Sequence, residues 1–365
     1  MQTITVRTPT KIYPVHIGAG LLGHLMDLPG VPYPKAVMLV TDSHVQTLYA
    51  QRVTEVLTEA GIVVRTFAFP AGEESKNLAV YGQLLEALAA AGLTRQDVIV
   101  ALGGGVTGDL AGYAAATYLR GIRFVQLPTT LLAAVDSSVG GKTGVNLGVG
   151  KNLVGAFWQP EVVICDTDTL HTLPAPRIAD GLAEMLKHGM IAHSELFAQI
   201  LDTTLQLPSF PEGETPLPTS ACDAIAALIA RNVEIKAAVV GADEREHGTR
   251  ALLNFGHTVG HAIEKRSDYA LTHGHAVALG MLAVTRAAQR HDLCGNITPL
   301  LEHALTASGL PTVCPYPIAE LLPIMCSDKK RAMDGITLVL PRRIGQCYLQ
   351  KFPLDGLGEF FAMNN

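Results

Sequence analysis

The chain has 365 residues, 48% of them hydrophobic and 16% charged, with a formal net charge of −6. That length suits two domains, each with its own core, and the apolar share excludes a largely disordered chain. The negative balance excludes binding to nucleic acid or an anionic membrane through a global positive field, so an anionic ligand must be gripped locally.

Met1 to Gly20 lacks a basic segment followed by an apolar run and does not read as a secretory signal. Residues 36–41 read as a strand, followed by a helix carrying Val45, Leu48, Val53, Val56 and Leu57 and ending at Gly61. Residues 62–67 form the next strand; a helix with Leu78, Tyr81, Leu85 and Leu88 on one face follows and stops at Gly92. A strand over 97–102 runs into a glycine turn, then a helix over 109–120 and a strand over 122–127 ending at Pro128. This alternation predicts a parallel sheet covered by helices.

Near Pro174 the pattern changes to long helices, 177–201 and 221–239, so the domain boundary is expected there. Pro208, Pro211, Pro216 and Pro218 make 207–219 a loop. Residues 336–340 and 347–349 flank Arg342 to Gly345 and read as a small hairpin. The longest apolar window, 276–284, is broken by Gly280 and is far short of the roughly 20 residues that span a bilayer. Six cysteines, Cys165, Cys222, Cys294, Cys314, Cys326 and Cys347, contain no CxxC pair, which fits reduced thiols in a cytosol better than a zinc ribbon.

Three stretches carry chemistry. Gly103 to Gly108 matches GxGxxG between a strand and a helix, where backbone amides and a helix N-terminus suit a pyrophosphate. No acidic residue follows at the usual spacing of roughly 20; Asp42, ending an earlier strand, is a substitute, and a tight turn without ligand is the alternative. Gly141-Lys142-Thr143 is no P-loop, because Asp136 stands where that motif needs glycine. What remains between Asp136 and Asn152 is a glycine-rich stretch with Lys142 and Lys151, either an anion grip or solvated lysines. Four of the chain's 13 histidines, His257, His261, His273 and His275, fall within one short span. Spacing alone nominates His257 with His261 on one helix face as metal ligands, with Glu184 as the carboxylate. Lys187, one turn beyond Glu184, is otherwise a surface ion-pair partner.

The stretches GGGVTGDLAGYAAATYLRGI, QLPTTLLAAVDSSVGGKTGVN, GKNLVGAFWQP, GLAEMLKHG, DEREHGTRALLNFGHTVGHAIE, HGHAVALGM and SDKKRAMDG run in order between Gly72 and Gly345 and together resemble the 3-dehydroquinate synthase family. The resemblance implies an α/β Rossmann-like N-terminal domain over 1–174 that binds NAD. It implies a mainly α-helical C-terminal domain over 175–365 that binds metal and substrate, with the active site in the cleft between them. It also revises the ligand choice: Glu184, His257 and His273 become the metal ligands, for zinc first and cobalt second. His261 then becomes a substrate or proton-transfer residue.

For NAD the resemblance implies Asp42, Glu73, Lys76, Gly104, Gly105, Val106, Asp109, Thr129, Thr130 and Thr172, with Lys142 and Lys151 shared between cofactor and substrate. For substrate it implies Arg120, Asp136, Asn152, Lys187, Lys236, Glu246, Arg250, Asn254, His261 and one of Lys329 or Lys330. Cations and amides dominate, as a substrate bearing phosphate and carboxylate demands. Three positions depart from the family pattern: Ile178 for a common glutamate, His193 for a frequent aspartate, and His275 at a place often acidic.

The implied reaction converts 3-deoxy-D-arabino-heptulosonate 7-phosphate into 3-dehydroquinate and phosphate in the shikimate pathway. It proceeds by transient oxidation of a ring hydroxyl, phosphate elimination, reduction and intramolecular aldol closure, in a cytoplasmic homodimer. The rival readings are a net NAD- and metal-dependent polyol dehydrogenase, another sugar phosphate cyclase, and a catalytically silent NAD- or metal-binding regulator. Arg250, Asn254 and the basic glycine-rich stretch weigh against the first.

Overall fold

The computed structural model describes residues 1–211, 213–327 and 335–362. In chain order the strands are β1 Gln2–Arg7, β2 Ile12–Gly18, β3 Ala36–Asp42, β4 Val63–Phe69, β5 Val98–Gly103, β6 Arg123–Pro128, β7 Lys142–Leu147, β8 Gly150–Phe157, β9 Val162–Asp166, β10 Ile336–Arg343 and β11 Gln346–Phe352. The α-helices are α1 Ser43–Val45, α2 Gln51–Glu59, α3 Leu78–Ala90, α4 Gly105–Thr117, α5 Ala175–Ala192, α6 Ser194–Leu205, α7 Thr219–Ala226, α8 Ile229–Ala242, α9 His257–Arg266, α10 His273–Arg290, α11 Thr298–Ala307, α12 Ile318–Ser327 and α13 Gly356–Phe361. None of the described helices is long and apolar enough to cross a membrane.

The chain forms two compact units. The first is Met1–Leu173 with Ile229–Arg245, and the second is Pro174–Leu228 with Glu246–Asn365. The linear division at 174/175 differs from this in one respect: α8 returns to the first unit, where it packs on β1. Gly241 lies so close to strand β1 that a Cβ there would be 2.6 Å from the Arg7 carbonyl oxygen. The Glu244 carboxylate accepts the Thr10 backbone N–H at 3.2 Å and the Gln159 amide at 2.8 Å.

The first unit is built on a seven-stranded sheet of order β1-β2-β9-β6-β5-β3-β4. It is parallel throughout except for the antiparallel β1-β2 pair at one edge. Alternate strand residues enter different cores, with Val37, Leu39, Val98 and Val100 on one face and Met38, Val40, Ile99 and Ala101 on the other. Burial on both faces explains why these strands read as continuous apolar runs. The predicted helix after β3 is interrupted by a wider π turn over Gln46–Ala50.

The glycine-rich stretch read as a flexible grip is an ordered antiparallel hairpin, β7-β8. Gly144 and Gly155 face each other across it, and a Cβ on Gly155 would lie 2.1 Å from the Thr143 carbonyl oxygen. Gly144 and Gly155 therefore serve close backbone approach.

The second unit is helical apart from the hairpin β10-β11. The expected helix over 177–201 is two helices, because His193 leaves helical geometry at φ −153° and ψ 91° and its Nδ1 accepts the Leu196 N–H. The expected helix over 221–239 divides likewise into α7 and α8. The proline-rich loop contains no helix between Leu205 and Thr219 among its described residues.

Candidate active site

Helix α5 is buried along most of its length, and it carries Glu184 and Lys187 fully inside the second unit. Their side chains form an ion pair one turn apart, so the surface-pair reading does not apply. Gly256, at φ 79°, turns the chain into α9, and any Cβ there would lie 2.6 Å from Met281 Cγ. A Cβ on Gly280 would lie 2.0 Å from the Gly256 carbonyl oxygen. These glycines let α9 and α10 approach closely, which brings His257 from the first helix beside His273 from the second.

His257 Nε2 and His273 Nε2 lie 3.7 Å and 3.4 Å from Glu184 Oε1, and one ligand atom from each residue falls within 4.8 Å of the others. Burial, reinforced by the Lys187 charge, holds His257 well below its ordinary range, at about 3, so its imidazole is neutral. Burial also opposes charge on His273, but hydrogen bonds to Glu184 and Glu264 outweigh it and raise that group to about 10. The outer nitrogens are engaged as well: His257 Nδ1 is 3.2 Å from the Phe255 carbonyl and His273 Nδ1 is 3.4 Å from Glu264 Oε2.

In the first unit, β5 ends at Gly103 and α4 begins at Gly105 with Gly104 at the cap. A Cβ on Gly103 would meet Thr107 Oγ1 at 2.4 Å, and one on Gly108 would meet Gln126 Oε1 at 2.7 Å. A side chain at Gly103 would therefore displace Thr107, one at Gly108 would have to move the Gln126 amide, and Val106 lies in the first turn of the helix. Around it, buried Lys76 reaches both Asp109 and Asn152. Burial raises the Asp109 carboxyl, with Lys76 countering. Asn146 Nδ2 donates to Glu73 Oε1 at 2.7 Å, and Asn146 Oδ1 accepts the Asn152 N–H at 2.8 Å, with Asn152 at φ 54°. Lys151 Nζ lies 3.9 Å from Glu73.

A family profile for the N-terminal part of 3-dehydroquinate synthase matches residues 66–180, and one for the C-terminal part matches 181–331. The chain belongs to the 3-dehydroquinate synthase family. The 3-dehydroquinate synthase of Desulforamulus reducens is 43% identical over 351 residues, 95% of each chain. That of Lactiplantibacillus plantarum is 43% identical over 369 residues, 99% of this chain and 98% of the relative. Among solved structures, 2-deoxy-scyllo-inosose synthase complexed with carbaglucose-6-phosphate, NAD+ and Co2+ is 27% identical, with a TM-score of 0.85 over 99% of each chain.

The remaining residues that the 3-dehydroquinate synthase resemblance implies are distributed as follows. Asp42 caps α1, its Oδ1 accepting the His44 and Val45 N–H groups, each at 2.9 Å. Thr129 N–H donates to the Gly103 carbonyl, Thr130 Oγ1 accepts the Ala133 N–H, and Thr172 contacts Tyr49. Asp136 and Lys236 form an ion pair at 2.6 Å within the first unit. Arg120, at φ 66°, is exposed after α4, and Lys142 is exposed at the start of β7.

In the second unit Arg250 is almost fully buried, Asn254 Nδ2 donates to Glu246 Oε1 at 2.6 Å, and His261 is exposed on α9. Its ring centroid is 5.4 Å from that of His257. Lys329 and Lys330 lie outside the described residues. The motif reading missed Asn146 and Glu264. The latter was discoverable, since it stands seven residues after His257 and three after His261 on one helix face.

Proposed function

We propose that the chain is a 3-dehydroquinate synthase, converting 3-deoxy-D-arabino-heptulosonate 7-phosphate into 3-dehydroquinate and phosphate. Near-full-length identity with curated enzymes of that name supports the reading. The structural observation that carries it is the gathering of Glu184, His257 and His273 in one cluster, with Glu184 buried and the two imidazoles half-buried. NAD and a divalent metal are the proposed cofactors, as in the 2-deoxy-scyllo-inosose synthase complex with NAD+ and Co2+.

The donor set fits such a metal. One carboxylate and two imidazoles, each imidazole oriented by an outer oxygen, suit zinc and leave coordination positions for substrate oxygens. When bound, the metal supplies polarisation of a substrate hydroxyl, and NAD supplies reversible hydride acceptance, so the net reaction is redox-neutral. Gly104, Gly105 and Val106 offer backbone amides to the cofactor phosphates, with Asp42, Glu73, Lys76, Asp109, Thr129, Thr130, Lys151 and Thr172 as its further contacts.

Lys142, Lys187, Lys236 and Arg250 bind the substrate's anionic groups, with Arg120, Asn152 and one of Lys329 or Lys330 alongside. Asp136 holds the Lys236 ammonium, Glu246 orients the Asn254 amide, and His261 moves a proton at its imidazole. A correctly held substrate can use its own phosphate as the base for elimination. Cytoplasmic residence is proposed from the biosynthetic role and is consistent with six free cysteines. A homodimer, implied by the family resemblance, is checked by sedimentation.

The deciding assay supplies the seven-carbon keto-acid phosphate and NAD. Phosphate release and a carbocyclic product without net NADH are expected; a chelator should stop turnover, and zinc or cobalt should restore it. Steady NADH accumulation would replace this reading with that of a dehydrogenase.

A further inference from the structure

The helix that presents His273 begins in an unusual way. Thr272 occupies the capping position of α10 with extended backbone, yet its side chain caps none of the helix's backbone N–H groups and lies 2.7 Å from His275 Nδ1. Its hydroxyl donates instead to Asp180 Oδ1. The same oxygen accepts the backbone N–H of His275, the third residue of α10, at 3.3 Å, and lies 3.1 Å from His275 Nδ1. Asp180 Oδ2 faces Arg177 at 3.5 Å.

An acceptor for that third N–H is what a helix's own capping side chain normally provides. Here it comes from α5, one turn ahead of Glu184. The carboxylate is 5% exposed, and its negative charge at a helix N-terminus is favourable. Little slack exists at the junction, because a Cβ on Gly274 would lie 2.3 Å from Asp180 Cα. The first turn of α10 is thus fastened to the segment of α5 that carries Glu184.

We propose that Asp180 is a positioning residue that holds His273 in register with Glu184 and thereby sets the metal affinity of the cluster. This rests on the reading of Glu184, His257 and His273 as a metal site. Groups hydrogen-bonded directly to a metal ligand change metal affinity by roughly 10- to 100-fold; Asp180 acts through the Thr272 hydroxyl and the His275 N–H, so the lower end of that range is expected.

The test uses the metal-stripped full chain, without substrate. Zn2+ affinity is read by competition with a chromophoric chelator, and ligand geometry by the visible spectrum of the Co2+ form. Asp180→Ala should weaken Zn2+ binding by about 10-fold and alter the Co2+ bands. Asp180→Asn, which keeps an acceptor for the His275 N–H, should recover most of the affinity, and Thr272→Val should lose several-fold. If Asp180→Ala does not fold, Thr272→Val decides, and wild-type affinity and spectrum in it overturn the proposal. An Asp180→Ala protein that melts lower but binds Zn2+ and Co2+ like wild type is merely missing a helix cap, which also overturns it. His257→Ala separates the two claims: if it binds metal as well as wild type, the metal-site reading fails. If it loses metal while the Asp180 and Thr272 variants do not, the positioning role alone fails.

Discussion

Arg250 is 1% exposed, the largest side chain so deeply buried among the described residues, and it sits in the short turn before α9. In the substrate-binding role proposed for it, its guanidinium would present a planar fork to a carboxylate or phosphate, which a lysine cannot reproduce. Arg250→Lys should therefore raise the substrate KM by about 10-fold or more, as expected for losing one charge-assisted hydrogen bond. NAD affinity, read by calorimetry, should stay unchanged. An unchanged KM would remove Arg250 from substrate binding. At this scale residue identity was readable but partnership was not: His257 and His261 announce a shared helix face by spacing, whereas His257 meets His273 only because glycines at 256 and 280 bring two helices together.

Between elements, Asp97 ties the start of β3 to the start of β5. Its Oδ1 accepts the Ala36 N–H at 3.0 Å, and its Oδ2 accepts the Thr94 N–H and hydroxyl at 2.8 Å each. Burial pushes this carboxyl upward, but the hydrogen bonds from Thr94 and Ala36 outweigh it and hold the group below its ordinary value. Its stabilisation is therefore complete above the unfolded carboxyl value, about pH 4, and is lost as pH falls through the lower folded value. Asp97→Asn should cost about 2 kcal/mol at neutral pH in denaturant unfolding, and the gap from wild type should shrink on acidification. A gap that widens in acid would contradict the assigned sign. Strands and helices here were legible from apolar runs and glycine stops. The β7-β8 hairpin was not, because its glycines read as flexibility until the facing strand explained them.

For the whole molecule, metal uptake and folding are linked: a ligand bound only by the folded state adds about 2.7 kcal/mol when present at 100 times its dissociation constant. Zn2+ should accordingly raise the unfolding midpoint of the wild-type chain, and chelator should reverse the gain. His257→Ala should show neither effect; an equal rise in that variant would place the binding elsewhere. The amino-acid sequence by itself determined the α/β and helical halves, the glycine turn and the family, since apolar periodicity and short motifs are local properties of the chain. Tertiary structure alone decided that α8 returns to the first unit, that Glu184 and Lys187 are buried together, that Glu264 meets His273, and that Asp180 meets the first turn of α10. These facts depend on contacts between residues far apart in the chain, and spacing along one element carries no information about the surface that another presents to it.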